Sequence, residues 1–365
     1  MYKRQVWHPE PAALDAALGV IASARRPVVL AGRGAIDDAS RAALVRLASR
    51  IGAPLATTLR ARDLFRGEVS DVGVFGTLSH PLAMETIDRS DCVVAFGASL
   101  NRWTTAEGSL LSGKRVVHVD RERSAIGRYV VPDAAVVGDA GAVADAMTDA
   151  LDQADVPASG FAELVARSTE PATTRFTDRS TDTTIDIRTA LARLDATFPV
   201  DRTLVFDIGR FLPLSFSTLH VAHPRGFVHT VNFGALGLSF GMAIGAAVGS
   251  PGRPTLLTMG DGGFMLGGIT EFATAVRHGI DLVVVVLNDG SYGKEHLLLT
   301  NRNLDPKMSL FEWPDLGPVA TALGGQGVTA RNLDELDRAL VAMGERTGPM
   351  LIDVKLDPEA VPYGH

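Results

Sequence analysis

The stretch from Gly260 to Gly293 limits the possible folds of this chain more than any other. A Gly-Asp-Gly corner around Asp261 leads through a helix-like segment into the apolar run Leu282–Leu287, which stops at Asn288. An apolar run of this length, bounded by turn residues, is typical of a fully buried strand of a parallel sheet. Because parallel strands end at one edge of their sheet, we expect Asp261 and Asn288 to lie close together there.

The residues at this predicted edge supply oxygen atoms. A carboxylate, an amide oxygen and a free loop carbonyl are hard ligands that suit a small hard cation such as Mg²⁺. The glycines let the backbone approach a phosphate closely enough for its N–H groups to donate to it. Gly-Asp-Gly and Asn-Asp-Gly are also common turn sequences, so either corner taken alone favours a simple turn. Their occurrence together, around a valine-rich strand, favours the cation and phosphate site.

Composition is typical of a globular protein and excludes several classes of function. The 365 residues are enough for two domains, with 46% hydrophobic and 21% charged residues. The formal net charge of −7 gives no electrostatic footprint for nucleic acid. No apolar run approaches the length of a membrane span and no signal segment opens the chain, so we expect a cytoplasmic protein without a membrane partner. The single cysteine, Cys92, excludes an intrachain disulfide and a cysteine metal cluster.

Strand-like and helix-like segments alternate in both halves of the sequence. The predicted fold class is therefore α/β, with two domains that each contain a mainly parallel sheet flanked by helices on both faces. Residues 156–185 are rich in Ser, Thr and Asp and poor in apolar residues, which is typical of a connection between domains. We place the first domain at residues 1–155 and the second at residues 186–365. The predicted strands cover residues 27–31, 54–56, 92–96, 114–119, 134–137, 203–207, 227–230, 254–259, 282–287 and 350–354.

The two corners and their spacing resemble the cofactor motif of thiamine-diphosphate-dependent enzymes, and the chain is similar to the acetolactate-synthase-like branch of that superfamily. The resemblance implies that the side chains of Asp261 and Asn288 and the carbonyl of Gly290 hold Mg²⁺, which in turn holds the cofactor's diphosphate. A helix that begins at the first corner favours such an anion through its N-terminal dipole. The resemblance also places the diphosphate beside the following residues: Gly260, Gly262, Gly263, Tyr292 and Gly293.

Two further segments resemble parts of the family's cofactor site. The loop Gly209-Arg210-Phe211 stands where the family usually has Gly-Gln-His against the diphosphate, which makes Arg210 a candidate charge partner. The turn Gly234-Ala235-Leu236-Gly237 resembles the Gly-Ala-Met-Gly turn whose bulky apolar residue lies between the two rings of the cofactor. Leucine conserves the volume and apolarity of methionine. The resemblance therefore implies this role for Leu236, with backbone groups of Gly234 and Leu236 hydrogen-bonded to the aminopyrimidine ring.

Residues 10–155 resemble the central domain of acetolactate-synthase-like proteins, which binds FAD, another nucleotide or nothing. Gly32-Arg33-Gly34 follows a predicted strand but lacks the third glycine of a dinucleotide fingerprint. The family segment that contacts FAD corresponds to Gly73–Thr77, whereas Ser99–Trp103 departs from the Asp-Asp-Arg-like run of FAD-binding relatives. An empty, structural domain and a domain that binds FAD or another nucleotide both stay open.

Lys294, Glu295 and His296 directly follow the predicted metal loop, where relatives place side chains that face the substrate. Glu295 corresponds to a catalytic glutamate of some decarboxylases in the superfamily, and is a candidate to relay protons to a cofactor-bound carbanion. Three charged residues at this position are also typical of a solvated helix start. The sequence leaves both interpretations open.

In this superfamily a glutamate on a pyrimidine-binding domain activates the cofactor, and we expect this sequence to lack that domain. The resemblance therefore implies a subunit of a split enzyme, in a hetero-oligomer with two copies of each chain, whose partner supplies the domain and its glutamate. The implied lyase or transferase forms or cleaves C–C bonds next to the carbonyl of a 2-oxo acid or aldehyde, by decarboxylation or by acyloin- or acetolactate-type ligation. A non-catalytic thiamine-diphosphate-binding or regulatory module and an artificial truncation are the alternatives.

Overall fold

A six-stranded parallel sheet forms the centre of each half of the chain. The computed structural model describes residues 5–168, 176–230 and 233–360. The chain divides into two compact units, Met1–Thr174 and Arg175–His365. None of the described helices has both the length and the apolarity that a membrane crossing requires. The predicted α/β fold class, with helices flanking two parallel sheets, is confirmed.

The first sheet has the strand order β3-β2-β1-β4-β5-β6. Successive residues of its central strand face different hydrophobic clusters, Val28 on one side and Val29 on the other, so helices cover both faces. Its strands are β1 (Pro27–Ala31), β2 (Leu55–Thr57), β3 (Asp71–Val74), β4 (Cys92–Phe96), β5 (Arg115–Asp120) and β6 (Ala134–Val137). Its helices are α1 (Pro11–Ala22), α2 (Asp38–Ile51), α3 (Pro81–Arg89), α4 (Arg102–Thr105), α5 (Ala140–Gln153) and α6 (Phe161–Ser168).

The Gly-Arg-Gly sequence after β1 is explained by the close approach of two loops. A β-carbon at Gly32 would lie 2.2 Å from the carbonyl oxygen of Gly97, and one at Gly34 would lie 2.8 Å from the Cα of Gly97. Atoms do not approach this closely without displacement of the backbone. The packing of the loop after β1 against the loop after β4 therefore requires these glycines, whether or not a nucleotide binds.

The second sheet has the strand order β11-β12-β10-β9-β7-β8. Its strands are β7 (Thr203–Phe206), β8 (Phe227–His229), β9 (Thr255–Gly260), β10 (Leu282–Asn288), β11 (Gln326–Ala330) and β12 (Met350–Lys355). Its helices are α7 (Ile187–Thr197), α8 (Leu212–Thr218), α9 (Ser239–Gly249), α10 (Asp261–Gly263), α11 (Ile269–Arg277), α12 (Gly293–Asn301), α13 (Leu316–Ala322) and α14 (Leu333–Gly344). A π-helical turn, Phe264–Gly268, joins α10 to α11.

The register of β9 and β10 positions the two corners that the sequence singles out. Gly260 pairs with Leu287, so Asp261 follows β9 at the same level as Asn288 at the end of β10. Both strands are buried because each lies between two neighbours. Strand β10 carries an apolar residue at every position before Asn288, and β9 combines Leu256, Leu257 and Met259 with two buried threonines. The two candidate ligands therefore emerge side by side at the carboxyl edge of the sheet.

Some elements escaped the sequence-based prediction: β3, β11, α4, α6 and α8. The strands β3 and β11 lie at the edges of their sheets, where an exposed side removes the need for a continuous apolar run. Helix α6 lies inside the predicted connection 156–185. Its Phe161 and Val165 are buried in the core of the first unit. These two apolar residues, four positions apart, are masked in the sequence by the polar composition around them.

Candidate functional site

A cleft lies at the carboxyl edge of the second sheet, where β7, β9 and β10 end. Its volume is about 160 Å³. Carboxyl edges are where open α/β sheets bind their ligands. Most of the predicted cofactor residues line this cleft: Gly209, Arg210, Phe211, Gly234, Leu236, Gly260, Asp261, Gly262, Gly263, Tyr292 and Gly293.

Asp261 begins the helix after β9, and only 1% of its surface is exposed. Burial and, to a smaller extent, the neighbouring carboxylate of Asp289 raise the pKa of Asp261 to about 7. The indole Nε1–H of Trp313 donates to its Oδ2 at 2.7 Å and opposes this rise. A buried carboxylate is costly to ionise unless a positive charge compensates it, so the environment of Asp261 is suited to a cation.

The side-chain amide of Asn288 is held at both ends. Its Nδ2 donates to Oδ1 of Asp353 at 2.8 Å, and its Oδ1 accepts the N–H of Gly290 at 3.2 Å. Asp353 is fully buried on β12 and also accepts from the N–H of Leu316 at 2.9 Å and from Nζ of Lys355 at 3.0 Å. Since a carboxylate only accepts, Asp353 fixes which end of the amide faces it. The oxygen of Asn288 therefore faces the loop after β10.

The carbonyl of Gly290, which the sequence predicts to be free, accepts the N–H of Phe311 at 2.8 Å. Gly290 has a φ of 64°, the left-handed conformation that favours glycine. A carbonyl oxygen has two lone pairs, so one acceptor position remains. In the described part of the chain no group of three His, Cys, Asp or Glu residues is arranged to hold a metal. A cation here would therefore depend on the mixed oxygen set of Asp261, Asn288 and Gly290, which is a set that Mg²⁺ accepts.

Tight packing surrounds the two glycines that follow Asp261. A β-carbon at Gly262 would lie 2.4 Å from the ring of Tyr292, and one at Gly263 would lie 2.3 Å from Oδ2 of Asp207. Both glycines belong to the first helical turn, whose N–H groups have no main-chain acceptor within the helix, and both line the cleft. The N–H of Gly262 also approaches the carboxylate of Asp261, where it opposes the rise in pKa. Such a turn fits a phosphate group.

Arg210 brings a buried positive charge to the cleft. Its side chain is 5% exposed, forms an ion pair with Asp289, and donates from Nη1 to the carbonyl of Pro358 at 2.8 Å. Its Nε is buried and has no hydrogen-bond partner among the described residues. A β-carbon at Gly293 would lie 2.7 Å from this Nε. A buried guanidinium N–H without an acceptor fits an anion, and the glycine leaves room for one.

Asp207 organises the turn from Gly234 to Gly237. Its fully buried carboxylate, directly after β7, accepts the N–H of Gly237 at 3.0 and 3.1 Å. Burial raises the pKa of Asp207. Gly234 and Gly237 have φ values of 76° and 80°, so the turn requires glycine at both ends. Leu236 lines the cleft, whereas three other predicted cofactor residues do not: Ala235, Asn288 and Gly290.

Two family descriptions match successive parts of the chain. A thiamine pyrophosphate enzyme central domain matches residues 14–147, and a C-terminal thiamine-pyrophosphate-binding domain matches residues 207–354. The chain belongs to the thiamine-diphosphate-dependent enzyme superfamily. Within it, the relatives place the chain in the acetolactate-synthase-like branch.

The relatives in this superfamily carry out different reactions. IlvB2 of Mycobacterium tuberculosis, assigned to the acetolactate synthase large subunits, is 28% identical over 96% of this chain and 63% of its own length. AruI of Pseudomonas aeruginosa, assigned as a 2-ketoarginine decarboxylase, is 29% identical over 94% of this chain and 60% of its own length. Sulfoacetaldehyde acetyltransferase of Alcaligenes xylosoxydans xylosoxydans is 26% identical over 91% and 60%. The chain thus spans about six-tenths of the length of these relatives.

The structure separates the three charged residues after the predicted metal loop. Lys294 and Glu295 are exposed and line the mouth of the cleft. His296 does not line it. Its buried ring lies 3.3 Å from Oγ of Ser309 through Nδ1 and 3.0 Å from Oε1 of Glu359 through Nε2. The expectation that His296 faces the substrate is therefore not what the structure shows: one turn of helix α12 directs it inward.

Four residues make contacts at this site that sequence reasoning did not predict: Asp207, Asp289, Trp313 and Asp353. Asp353 had a usable signal, because a lone acidic residue within a buried apolar strand must have partners. Asp289 was visible in the Asn-Asp-Gly corner. Trp313 had no signal, since its contact with Asp261 joins residues 52 positions apart.

The central domain also has a crevice, of about 360 Å³, where β1, β4, β5 and β6 end. It lies where β1 neighbours β4. From this point successive strands are added in opposite directions, β2 and β3 on one side and β5 and β6 on the other. Such a change of direction is a usual nucleotide site in α/β sheets. Gly34, Gly97, Asp120 and Gly138 line it. Because loop packing already accounts for Gly34 and Gly97, these glycines do not decide between an empty domain and one that binds FAD. That prediction stays open.

Proposed function

We propose that this chain is the metal- and diphosphate-binding component of a Mg²⁺-dependent member of the superfamily that forms or cleaves C–C bonds next to a carbonyl. The observation that carries the proposal is the convergence of Asp261 and Arg210 on one cleft, with Asn288 beside Asp261 at the end of the neighbouring strand. Among the described residues, the Nε–H of that Arg210 guanidinium has no hydrogen-bond acceptor. Bound thiamine diphosphate supplies the electron sink for such bonds. The substrates in this proposal are 2-oxo acids or aldehydes.

In this proposal three oxygen atoms hold Mg²⁺: one from the carboxylate of Asp261, Oδ1 of Asn288 and the carbonyl of Gly290. The raised pKa of Asp261 supports this role, because a divalent cation restores the charged form that burial disfavours. The double hydrogen bonding of the Asn288 amide supports it as well. An oxygen that is already oriented loses little conformational entropy when it binds an ion.

The diphosphate would lie against the first turn of the helix after β9 and against Arg210. The N–H groups of Gly262 and Gly263 would donate to it, together with Nε of Arg210. The ion pair between Arg210 and Asp289 reduces the net positive charge available for the anion. Mg²⁺ would therefore provide most of the neutralisation, and Arg210 would add one directed hydrogen bond.

Leu236 and Glu295 would act on the part of the cleft nearest the substrate. Leu236 would support the two rings of the cofactor by apolar contact, because it projects into the cleft from a turn that Asp207 holds. Glu295, exposed at the cleft mouth, would take and return a proton at its carboxylate. Lys294 would attract the carboxylate of a 2-oxo acid.

We further propose that a separate chain supplies the pyrimidine-binding domain with its glutamate, in an assembly with two copies of each chain. The support is the exposed apolar surface on and before α9, where Phe233 is 81%, Met242 37% and Val248 63% exposed. Exposed apolar groups mark an interaction surface where they form one contiguous patch, and we infer that these residues do so. Helix α9 starts two residues after Gly237, the last residue of the turn that brings Leu236 to the cleft.

Calorimetric titration tests the cofactor proposal. Thiamine diphosphate is titrated into the chain with Mg²⁺ and, separately, with EDTA. We expect binding only with Mg²⁺, and we expect Asp261→Ala to abolish it. The matched control Asp149→Ala, which removes an exposed carboxylate on α5, should leave binding unchanged. Binding that is equally tight in EDTA would contradict the proposed metal site.

Turnover tests the proposed partner. We expect a mixture of 2-oxo acids to be consumed only after the chain is combined with whatever chain co-purifies with it from its native source. Consumption by the purified chain alone, with Mg²⁺ and thiamine diphosphate, would contradict the split arrangement. Cofactor binding without turnover in the combined sample would instead favour a non-catalytic binding module.

A further inference from the structure

The segment Ser309–Trp313, called the strap below, contacts two of the three proposed cation ligands. The N–H of Phe311 donates to the carbonyl of Gly290 at 2.8 Å. The indole Nε1–H of Trp313 donates to Oδ2 of Asp261 at 2.7 Å. The strap is therefore hydrogen-bonded both to the helix that begins after β9 and to the loop after β10.

We propose that Trp313 is a positioning residue for the cation-binding carboxylate of Asp261. Its indole N–H holds Oδ2, which fixes the rotation of the carboxylate and leaves Oδ1 for the ion. The inference rests on the proposed function, because it assigns Trp313 a role at the Mg²⁺ site of that proposal.

An indole group has the chemistry that this role requires. It is a donor without an acceptor and it carries no charge. It orients one carboxylate oxygen while the full negative charge stays available to the cation. An Arg or Lys at the same place would neutralise Asp261 and compete with Mg²⁺. Partners of this kind, bonded to a ligand and not to the metal, orient metal ligands and strengthen metal binding.

Neighbouring aromatic rings hold Trp313 in place. The ring of Phe311 stacks on it, with centroids 4.8 Å apart and planes inclined by 16°. Tyr292 meets Phe311 edge-on, with a centroid distance of 4.8 Å. The ring of Tyr292 in turn lies against Gly262, directly after Asp261. The three rings therefore form a continuous set of contacts from Trp313 to the residue after Asp261. This packing holds the indole N–H and its acceptor in a fixed relative position.

The test compares Mg²⁺ affinity in the unaltered chain and in Trp313→Phe. Phenylalanine keeps an aromatic ring against Phe311 but removes the N–H donor. Mg²⁺ is titrated by calorimetry at a fixed, saturating concentration of thiamine diphosphate. Loss of one hydrogen bond to a charged group corresponds to about a tenfold weaker dissociation constant. We expect that weakening in Trp313→Phe, and no change in Trp103→Phe, which removes an exposed tryptophan of the first unit.

A second variant covers the case in which Trp313→Phe fails to fold. Replacement of Trp313 by benzothienylalanine, which has the shape of tryptophan but no N–H, should weaken Mg²⁺ binding to the same extent. Equal Mg²⁺ affinity of this isostere and the unaltered chain would overturn the role of Trp313 and leave the proposed function standing. No Mg²⁺ binding by the unaltered chain would overturn the proposed function and this inference together.

Discussion

Asp261 illustrates how a single buried side chain links stability to binding. Its pKa, raised to about 7 from an ordinary value of 3.8, means that the folded chain holds a proton on this carboxyl more tightly than the unfolded chain does. Between pH 4 and 7 the folded state therefore carries more protons than the unfolded state, and this residue's contribution to stability falls as pH rises. Above pH 7 the carboxylate is charged, and the cost of burying that charge lowers the stability of the folded state unless a cation binds.

The first prediction concerns Asp261→Asn without metal. Asparagine keeps an oxygen for Trp313 and removes the charge, so the variant should melt at a higher temperature than the unaltered chain at pH 8. The difference should shrink as pH falls towards 5, since the unaltered carboxyl then becomes protonated. Melting curves at several pH values measure the difference in melting temperature between the two proteins. Each kcal/mol of unfolding free energy corresponds to a shift of roughly 2–4 °C in a domain of this size. A difference that does not depend on pH would contradict the raised pKa.

The same titration sets the pH dependence of metal binding. A proton and a cation compete for Asp261, so the affinity for Mg²⁺ should fall about tenfold for each pH unit below 7 and level off above it. Calorimetric titrations of Mg²⁺ between pH 5.5 and 8.5, with saturating thiamine diphosphate, provide the profile. A profile that is flat over this range would show that Asp261 is not the ligand, or is already ionised.

Asp353 supports a further prediction because it joins the amide of Asn288 to the ammonium of Lys355. Asp353→Asn removes a fully buried charge with a partner, which typically costs about 3–5 kcal/mol of unfolding free energy. It also frees the Asn288 amide to flip, so Mg²⁺ affinity should fall about 10–100-fold. Asp315 also approaches Lys355 but is 39% exposed, and Asp315→Asn should cost less than about 1 kcal/mol. Urea unfolding of the two variants makes the comparison.

At the scale of elements, we expect glycines in two different helices to respond in opposite ways to replacement by alanine. A β-carbon at Gly263 would lie 2.3 Å from the carboxylate of Asp207, whereas one at Gly245 in α9 would meet nothing within 4 Å. Gly263→Ala should therefore destabilise the chain by about 1–3 kcal/mol through overpacking. Gly245→Ala should stabilise it by about 0.5–1 kcal/mol through helix propensity.

Urea unfolding of these two variants measures the contrast. A loss of stability in Gly245→Ala would show that the open side of α9 is already covered within the chain. Gly245→Ala has a second use once the partner chain is available. If that chain docks on α9, the added methyl group should weaken its binding while the stability of this chain rises.

Sequence reasoning predicted the elements that a buried parallel strand defines. The valine-rich run of β10 and the turn residues after β9 were sufficient to place Asp261 beside Asn288, because strand register follows from parallel pairing. Strand β11 was missed because an edge strand needs no apolar run. The strap was missed for a different reason: the hydrogen bond between Trp313 and Asp261 is a tertiary contact between the strap and the start of α10, and no local pattern encodes it. His296 was predicted to face the substrate, but its ring is buried against Ser309 and Glu359. Three consecutive polar residues, Lys294 to His296, give no pattern that distinguishes the buried side of α12 from the exposed side.

At the scale of the whole molecule, the chain consists of two units that each have their own sheet and core. We expect two thermal transitions in a calorimetric scan. Thiamine diphosphate with Mg²⁺ should raise only one of them, by about 2.7 kcal/mol of unfolding free energy at a hundredfold excess over the dissociation constant. Asp261→Ala should abolish that shift. A shift of both transitions would show that the cofactor contacts or couples both units.

The exposed apolar surface of α9 and the cleft mouth formed by Lys294 and Glu295 belong to the same unit. The residues proposed to hold the diphosphate and those proposed to contact a second chain thus belong to residues 207–248 and to the segments that follow β9 and β10.

A crystal structure of the chain grown with thiamine diphosphate and Mg²⁺ tests the central claim most directly. We expect one ion about 2.0–2.1 Å from an oxygen of Asp261, from Oδ1 of Asn288 and from the carbonyl of Gly290. The diphosphate should bridge that ion and Nε of Arg210. Density for the cofactor elsewhere, or an ion that leaves Asp261 and Asn288 uncoordinated, would contradict the proposed site.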